Sequence, residues 1–286
     1  MKKILLFFLL LILTACSPAV VVPPTVTATN TDTPVPTPTI TPTATPVPNG
    51  PCDSPLLPLS AGNQWTYRVA TENGEAIYTL KSLGIKESGN IIAMVEFTDQ
   101  KNNVTVTEPV VCLDGAVENF PLFVISMYFS DYLEKDFNTY HDTGIYAPSY
   151  QTLLENDRSM NWEVKYLTED SAQIKNPMGG QSLIVMESSF INLSFEMDGT
   201  REAVTVPGGS YPQALKVMNN YSFPATLFLP TGATGSTLNL YTTQWVEPYV
   251  GLVRAQVDRT TIFFSAQEME LPIVSTIELI EFIRGE

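Results

Sequence analysis

The stretch Gly62-Asn63-Gln64-Trp65-Thr66-Tyr67-Arg68-Val69 decides the fold class of this chain. A glycine turn leads into a run in which large apolar and polar side chains alternate, and a period of two is typical of a β-strand with one buried face. Similar runs follow between clusters of turn residues, at 76–85, 91–97 and 104–113. Short connections join antiparallel neighbours, so the domain is predicted to begin as a β-meander.

The centre of the chain gives a weaker signal. Apolar residues at spacings of three and four are Leu122, Ile125, Phe129, Leu133 and Phe137. This spacing favours a short amphipathic helix, although the Val, Tyr and Phe residues around it also suit a strand. Residues 138–159 are predicted to form a loop, which at this length is either functional or poorly ordered. The loop contains His141, the single histidine of the chain.

After Trp162 the strand pattern returns and continues to the end. The predicted strands are 160–167, 171–175, 182–197, 203–206, 213–223, 238–246, 250–257, 260–266 and 273–283. This many strands, with short turns and without alternation between strands and helices, indicates an antiparallel, mainly β domain. We expect a single domain over residues 52–286, preceded by two segments of other kinds.

Three motifs carry a resemblance to a known group of proteins. They are Gly62-Asn63-Gln64-Trp65-Thr66-Tyr67, Val204-Thr205-Val206-Pro207-Gly208-Gly209-Ser210-Tyr211 and Trp245-Val246-Glu247-Pro248-Tyr249-Val250-Gly251-Leu252-Val253. The motifs resemble bacterial extracytoplasmic β proteins of uncharacterised function, with the pattern G-x-x-W-x-Y, V-x-V-P-x-G and W-x-x-x-x-V-G-x-V. The resemblance covers most of 52–286 and implies a curved antiparallel sheet or half-barrel meander with one short helix. That fold is related to the half-barrels of lipoprotein-localisation factors, whose concave face accepts acyl chains.

Elementary physics explains the same motifs as structural corners. Pro207-Gly208-Gly209 interrupts a ladder and permits positive φ, which turns one strand into the next. The aromatic side chains supply large buried areas, on the order of 150–250 Å² each. The alternative is that some of these aromatic residues line a ligand cavity. The candidates are Trp65, Tyr67, Trp162 and Trp245.

The amino-terminal segment is predicted to direct export. Lys2 and Lys3 precede an apolar run at 4–13, which is shorter than the roughly 20 residues of a membrane-spanning helix. Leu13-Thr14-Ala15-Cys16 resembles the bacterial lipobox, with 1–15 as the signal peptide and lipid on the thiol and new amino terminus of Cys16. The alternative is an ordinary secretory signal. We expect an extracytoplasmic protein, lipid-anchored to the cell membrane or the outer membrane.

A low-complexity segment rich in threonine and proline occupies residues 16–51. Proline fixes φ and removes backbone donors, so extended conformations are expected in place of helix or sheet. At about 3.1 Å per residue, this linker spans at most about 100 Å. We therefore expect a disordered stalk that projects the domain away from the membrane.

Charge limits the partners of the chain. Cleavage before Cys16 removes two lysines and no acidic residue, which takes the formal net charge from −15 to −17. A chain this acidic does not bind nucleic acid through its phosphates. It is also repelled by anionic headgroups, which leaves the lipid on Cys16 as the expected membrane attachment.

The remaining cysteines, Cys52 and Cys112, are predicted to pair. An even number in an exported chain indicates a disulfide. It would close a loop of about 60 residues and stabilise the fold by roughly 2–4 kcal/mol. The alternative is two free thiols. The sequence has no Cys-x-x-Cys pair or Cys/His ligand set, so no structural zinc and no cofactor are expected.

Catalysis has weak support, because His141 has no nucleophile motif near it and the sequence cannot place two carboxylates across a cleft. Two other functions remain open. The first is a non-catalytic binding module for a hydrophobic ligand or an envelope partner, which predicts an apolar cavity between sheet and helix. The second is an interaction scaffold with a filled core, which predicts no cavity. A carboxylate-based hydrolase ranks third.

Overall fold

A computed structural model describes residues 50–88, 90–135, 139–168, 171–175, 183–186 and 189–285. Strands dominate these residues, which confirms the mainly β fold class. The predicted signal peptide 1–15, Cys16 and the linker up to residue 49 lie outside the described residues, as does Phe137.

The described elements follow one another along the chain with short connections. They are β1 (Asp53–Ser54), β2 (Leu57–Pro58), β3 (Gln64–Thr71), β4 (Gly74–Ser88), β5 (Asn90–Asp99), β6 (Val104–Leu113), β7 (Ala116–Val117), α1 (Phe123–Tyr128), β8 (Leu133–Lys135), β9 (Thr139–Gly144), α2 (Tyr150–Glu155), β10 (Ser159–Thr168), β11 (Ala172–Lys175), β12 (Leu183–Met186), β13 (Phe190–Asp198), β14 (Arg201–Val206), β15 (Gly209–Leu229), β16 (Gly232–Glu247), β17 (Gly251–Phe264), β18 (Gln267–Leu271) and β19 (Ser275–Ile283).

Antiparallel ladders join the strands from β3 to β19 into one curved sheet. The predicted meander is confirmed, because β3, β4, β5, β6 and β7 pair in sequence order. On the other side β3 pairs with β19, which pairs with β17, and the ladder continues through β16 to β15. The strand order closes into a barrel. An isolated bridge between Val117 and Ala147 connects β7 to the segment that precedes α2.

The long strand β15 pairs on its second edge with three shorter strands in turn. These are β14, β13 and β12, each through its own antiparallel register. The hairpin between β14 and β15 turns at Pro207 and Gly208. The Gly208 N–H donates to the Leu279 carbonyl at 2.9 Å, and a Cβ on Gly208 would lie 2.9 Å from that oxygen. Glycine is therefore required there by close backbone approach.

Helix α1 packs against the inner face of the sheet. Its buried side chains include Val124, Ile125 and Met127, and no side chain caps its amino terminus. A six-residue helix without a side-chain cap depends on tertiary packing for its stability. Helix α1 is shorter than the predicted helix, whose apolar spacing ran over residues 122–137. The N–H groups of Tyr132 and Leu133 both donate to the Phe129 carbonyl, at 2.8 Å each, and the chain leaves the helix there.

The loop prediction for residues 138–159 was wrong. Strand β9 pairs with β10, and α2 begins after Ser149, whose hydroxyl accepts the Thr152 N–H at 3.2 Å. Gly144 has a φ of +94° and lies so close to the Glu163 backbone that a Cβ would clash with it. Strand pairing and the Ser149 helix cap therefore give this polar segment regular secondary structure, which its composition did not indicate.

Three strand boundaries also differ from the predictions. The strand predicted over 182–197 is two strands, β12 and β13, whereas 250–257 and 260–266 lie in one strand, β17. Strand β18 was missed. In β17, Asp258 is the extra residue of a bulge, which lets the strand continue past a polar pair of residues. Its carboxylate accepts the Thr243 hydroxyl at 2.7 Å.

Candidate functional site

An apolar cavity of about 80 Å³ lies between the inner face of the sheet and α1. We call it the aromatic cavity, because aromatic side chains from β3, β5, β10, β13 and α1 line it. On α1 the lining residues are Phe123, Val124 and Met127. The described lining residues include no Asp, Glu, His, Lys or Arg.

Strand alternation decides which predicted aromatic residues reach this cavity. On β3, Trp65 and Tyr67 are both buried and both line it, and Trp162 on β10 lines it as well. On β16 the lining residues are Gln244 and Val246. Because successive side chains of a strand point to opposite faces, Trp245 lies on the other face and does not line the cavity. Its prediction as a cavity residue was wrong.

Trp245 belongs instead to a charged group on the outside of the sheet. Its indole N–H donates to Glu202 Oε2 at 2.7 Å, and the Arg254 guanidinium lies 5.3 Å from its ring centroid. Lys216 Nζ lies 3.1 Å from the second oxygen of Glu202. The Trp245 N–H, followed by Lys216, holds the pKa of Glu202 below its usual value.

The indole N–H groups of the two cavity tryptophans donate hydrogen bonds to backbone carbonyls. The Trp65 indole N–H donates to the Val250 carbonyl, and the Trp162 N–H donates to the Tyr146 carbonyl at 3.2 Å. The Trp162 ring stacks on Phe195 with centroids 5.0 Å apart. Their indole nitrogens are therefore engaged, and the rings contribute apolar surface to the cavity.

Two tyrosine hydroxyls in the cavity wall have no hydrogen-bond partner among the described residues. They belong to Tyr67, which is 5% exposed, and Tyr146. Tyr146 is half-buried and lines the cavity. Burial raises the pKa of both hydroxyls well above the ordinary value, so both remain neutral donors.

A second group of hydroxyls near the same wall is hydrogen-bonded. Gln244 Nε2 donates to Tyr128 Oη at 3.2 Å and to Tyr221 Oη at 3.4 Å. Burial raises the pKa of Tyr128 to about 12 and that of Tyr221 well above the ordinary value. The network joins α1, β15 and β16, which fixes the helix against the sheet.

A larger groove of about 800 Å³ adjoins the aromatic cavity. Three residues line both spaces: Phe97, Phe120 and Phe123. The Phe97 and Phe123 rings are parallel, with centroids 4.5 Å apart, and Phe120 meets Phe123 edge-on at 5.9 Å. These three rings, which we call the phenylalanine partition, separate cavity from groove.

The groove is more polar than the cavity. Asp99 and Glu108 line it, and its described lining residues include no Lys or Arg. His141 also lines it, and its Nε2 donates to the Gly144 carbonyl at 2.9 Å. This bond orients the imidazole along the turn that ends β9.

The structure joins Cys52 and Cys112 by a disulfide, with Cα atoms 5.2 Å apart. The bond connects the segment that carries the β1–β2 hairpin to β6. Leu56 and Leu57 from that hairpin line the aromatic cavity. The disulfide therefore holds one wall of the cavity against the sheet.

The part of the chain that the structure describes contains no group of three or more His, Cys, Asp or Glu residues placed to hold a metal ion. Within the same residues, no helix has the length and apolar character needed to cross a membrane.

Comparison with known proteins gives two similar solved structures. No family model matches the chain, and no curated protein matches it. One structure is described as an exported protein with a YmcC-like fold from Bacteroides fragilis: 14% identity and a TM-score of 0.44, covering 81% of this chain and 100% of that one. The other is described as a lipoprotein from Parabacteroides distasonis: 14% identity and a TM-score of 0.46, covering 80% of this chain and 99% of that one. At these TM-scores the likeness carries no further argument.

Sequence reasoning missed several residues of the site. Tyr146 and Ala147 lie in the segment predicted to be a loop, and Gln244 lies in a strand whose inward face the sequence did not identify. The apolar spacing at 122–137 did indicate a helix here, and its first turn supplies Phe123. A buried hydroxyl without a partner has no signature in sequence.

Proposed function

We propose that this chain is an extracytoplasmic, lipid-anchored protein that binds a hydrophobic ligand in the aromatic cavity and catalyses no reaction. The lipobox-like Leu13-Thr14-Ala15-Cys16 and the linker support the location. The observation that carries the binding function is Tyr67, which lines an apolar cavity and whose hydroxyl has no hydrogen-bond partner among the described residues.

Such a hydroxyl distinguishes a binding module from a scaffold with a filled core. Leaving a buried polar group without a hydrogen bond costs about 1–3 kcal/mol, and buried polar groups are rarely left so. A phenylalanine at position 67 would fill the same space without that cost. The hydroxyl and the adjoining space together support a site that is completed by a bound molecule.

The chemistry of the cavity wall supports binding over catalysis. The phenols of Tyr67 and Tyr146 stay protonated near neutral pH, because burial raises their pKa values. A protonated phenol is neither a general base nor a nucleophile. The described lining residues offer no carboxylate or imidazole to take that role.

The test compares ligand retention with the cavity open and filled. The full chain is expressed in an exporting bacterium and extracted without detergent into polymer discs. Native mass spectrometry and solvent extraction of the denatured protein then identify bound apolar molecules. The matched variant is Ala147→Leu, which adds three carbons at a lining position.

We expect a stoichiometric apolar adduct on the parent chain and its loss in Ala147→Leu. Because added volume can strain a packed core, circular dichroism and thermal unfolding of the variant must first show a folded domain. A folded parent chain without any adduct contradicts the proposed function, and so does an adduct that the folded variant retains.

A further inference from the structure

We infer that the ligand group held in the aromatic cavity is uncharged and carries a hydrogen-bond acceptor, such as the oxygen of a ketone, ester or ether, which the Tyr67 and Tyr146 hydroxyls bind. This inference rests on the proposed function and names the chemical class of the ligand.

The two tyrosine hydroxyls are the reason why the ligand must carry a hydrogen-bond acceptor. Tyr67 and Tyr146 both line the cavity, and Tyr146 lies close enough to Tyr67 to contribute, after burial, to the raised pKa of the Tyr67 phenol. Each phenol O–H is a donor, and neither has an acceptor among the described residues. One oxygen atom with two lone pairs can accept from both.

The absence of charge among the described lining residues determines that the group is neutral. An ion brought into an apolar space loses its hydration and needs a partner of opposite charge, which the described lining residues do not provide. A carboxylate or phosphate is disfavoured further, because Asp99 and Glu108 line the adjoining groove and the whole chain has a formal net charge of −15.

The volume determines how much of the ligand is enclosed. A cavity of about 150 Å³ holds benzene, so about 80 Å³ takes roughly three or four non-hydrogen atoms. The rest of a larger ligand extends past the phenylalanine partition into the groove. The ligand is therefore elongated, with an apolar end that carries the acceptor and a remainder that lies in the groove. The same cavity also has room for several water molecules, so water is the occupant that competes with the ligand.

The experiment uses two probes of equal chain length, 2-octanone and octanoate. The full chain, anchored in phosphatidylcholine vesicles, is titrated with each probe while tryptophan fluorescence is recorded, because Trp65 and Trp162 line the cavity. Free probe is measured after centrifugation, which corrects for uptake by the vesicles. The variants are Tyr67→Phe and Tyr146→Phe, with Tyr132→Phe as control, since Tyr132 lies outside the cavity lining and donates to the Pro272 carbonyl at 3.4 Å.

We expect 2-octanone to bind at least ten times more tightly than octanoate. Each cavity variant should weaken 2-octanone binding about 2- to 10-fold, as loss of one neutral hydrogen bond does, and Tyr132→Phe should leave it unchanged. Equal binding of both probes overturns the inference, and so does unchanged binding in Tyr67→Phe and Tyr146→Phe. If 2-octanone does not bind although the expressed chain retains an apolar adduct, the ligand class is wrong and the binding function stands. If 2-octanone does not bind, the chain retains no adduct and water alone occupies the cavity, the inference and the proposed function are both overturned.

Discussion

The Tyr166 hydroxyl binds both backbone groups of Phe120, a residue 46 positions earlier in the chain. It accepts the Phe120 N–H at 3.1 Å and donates to the Phe120 carbonyl at 2.8 Å. Tyr166 belongs to β10, and Phe120 precedes α1 in the phenylalanine partition. One side chain therefore attaches the start of the helical segment to the far side of the sheet.

Tyr166→Phe should lower the free energy of unfolding by about 1–3 kcal/mol, because it leaves a buried N–H and a buried carbonyl without partners. Urea unfolding monitored by circular dichroism measures the change. Tyr132→Phe is the control, since its long hydrogen bond to Pro272 is solvent-exposed and its loss should cost little. Equal losses in the two variants would show that the Tyr166 bonds do not stabilise the fold.

Tyr67→Phe should leave the free energy of unfolding unchanged or raise it slightly. The hydroxyl of Tyr67 has no partner among the described residues, so its removal breaks no bond and relieves a desolvated polar group. The same urea series measures this variant beside Tyr166→Phe. A loss above about 1 kcal/mol in the ligand-free chain would mean that this hydroxyl is bonded within the protein.

The period-two pattern predicted the strands and the burial of Trp65 and Tyr67, because alternation on one strand is a local property. It could not place Trp245, since the inward face of β16 depends on its register with β15 and β17. That register includes shifts between Tyr241 and Thr242 and between Trp245 and Val246. Both extra residues, Asp258 and Val253, belong to β17, so side chains still alternate along β16. Residues 242–246 are all buried, so neither face of β16 stands out as the inward one.

The site was less predictable than the sheet. The Tyr146 phenol reaches the cavity because Ala147, its neighbour, bridges to Val117, a contact between residues 30 positions apart. Local composition around Gly144 and Pro148 indicated a loop, and tertiary pairing gave it structure. The pairing of the two cysteines, in contrast, was predicted from their even number in an exported chain, and the structure joins them.

Replacing both Cys52 and Cys112 by alanine should lower the free energy of unfolding by about 2–4 kcal/mol. The disulfide joins residues 60 positions apart, so its loss increases the entropy of the unfolded chain. Urea unfolding of the oxidised chain, the reduced chain and the double variant measures the effect. The reduced chain and the double variant should agree, and a stability equal to that of the oxidised chain would contradict the prediction.

Phe123→Ala should increase both the association and the dissociation rates of 2-octanone. Phe123 contacts both other rings of the phenylalanine partition, so its truncation opens the boundary between cavity and groove. Stopped-flow tryptophan fluorescence measures the rates. Phe263→Ala is the control, because Phe263 is 47% exposed and does not line either space. Equal rates in the parent chain and Phe123→Ala would show that the ligand enters by another route.

The free energy of unfolding should be independent of tyrosine ionisation below pH 10 and fall steeply above it. Burial raises the pKa of Tyr128 to about 12, and it also raises the pKa values of four other phenols well above the ordinary value: Tyr67, Tyr146, Tyr166 and Tyr221.

The sign follows from proton binding. In the unfolded chain these phenols titrate near pH 10, so above that pH the folded state binds more protons than the unfolded state and stability falls as pH rises. Each fully retained proton contributes about 1.4 kcal/mol per pH unit, and five contribute roughly 7. A domain stabilised by about 5–15 kcal/mol should therefore unfold within one to two pH units above 10.

Absorbance at 295 nm, which reports tyrosinate, and circular dichroism should change together in one cooperative step. Tyr67→Phe removes one of the five groups, so its stability should fall less steeply with pH. Titration of these five phenols near pH 10 with the sheet intact would show that their hydroxyls are open to solvent, and their burial would then be wrong.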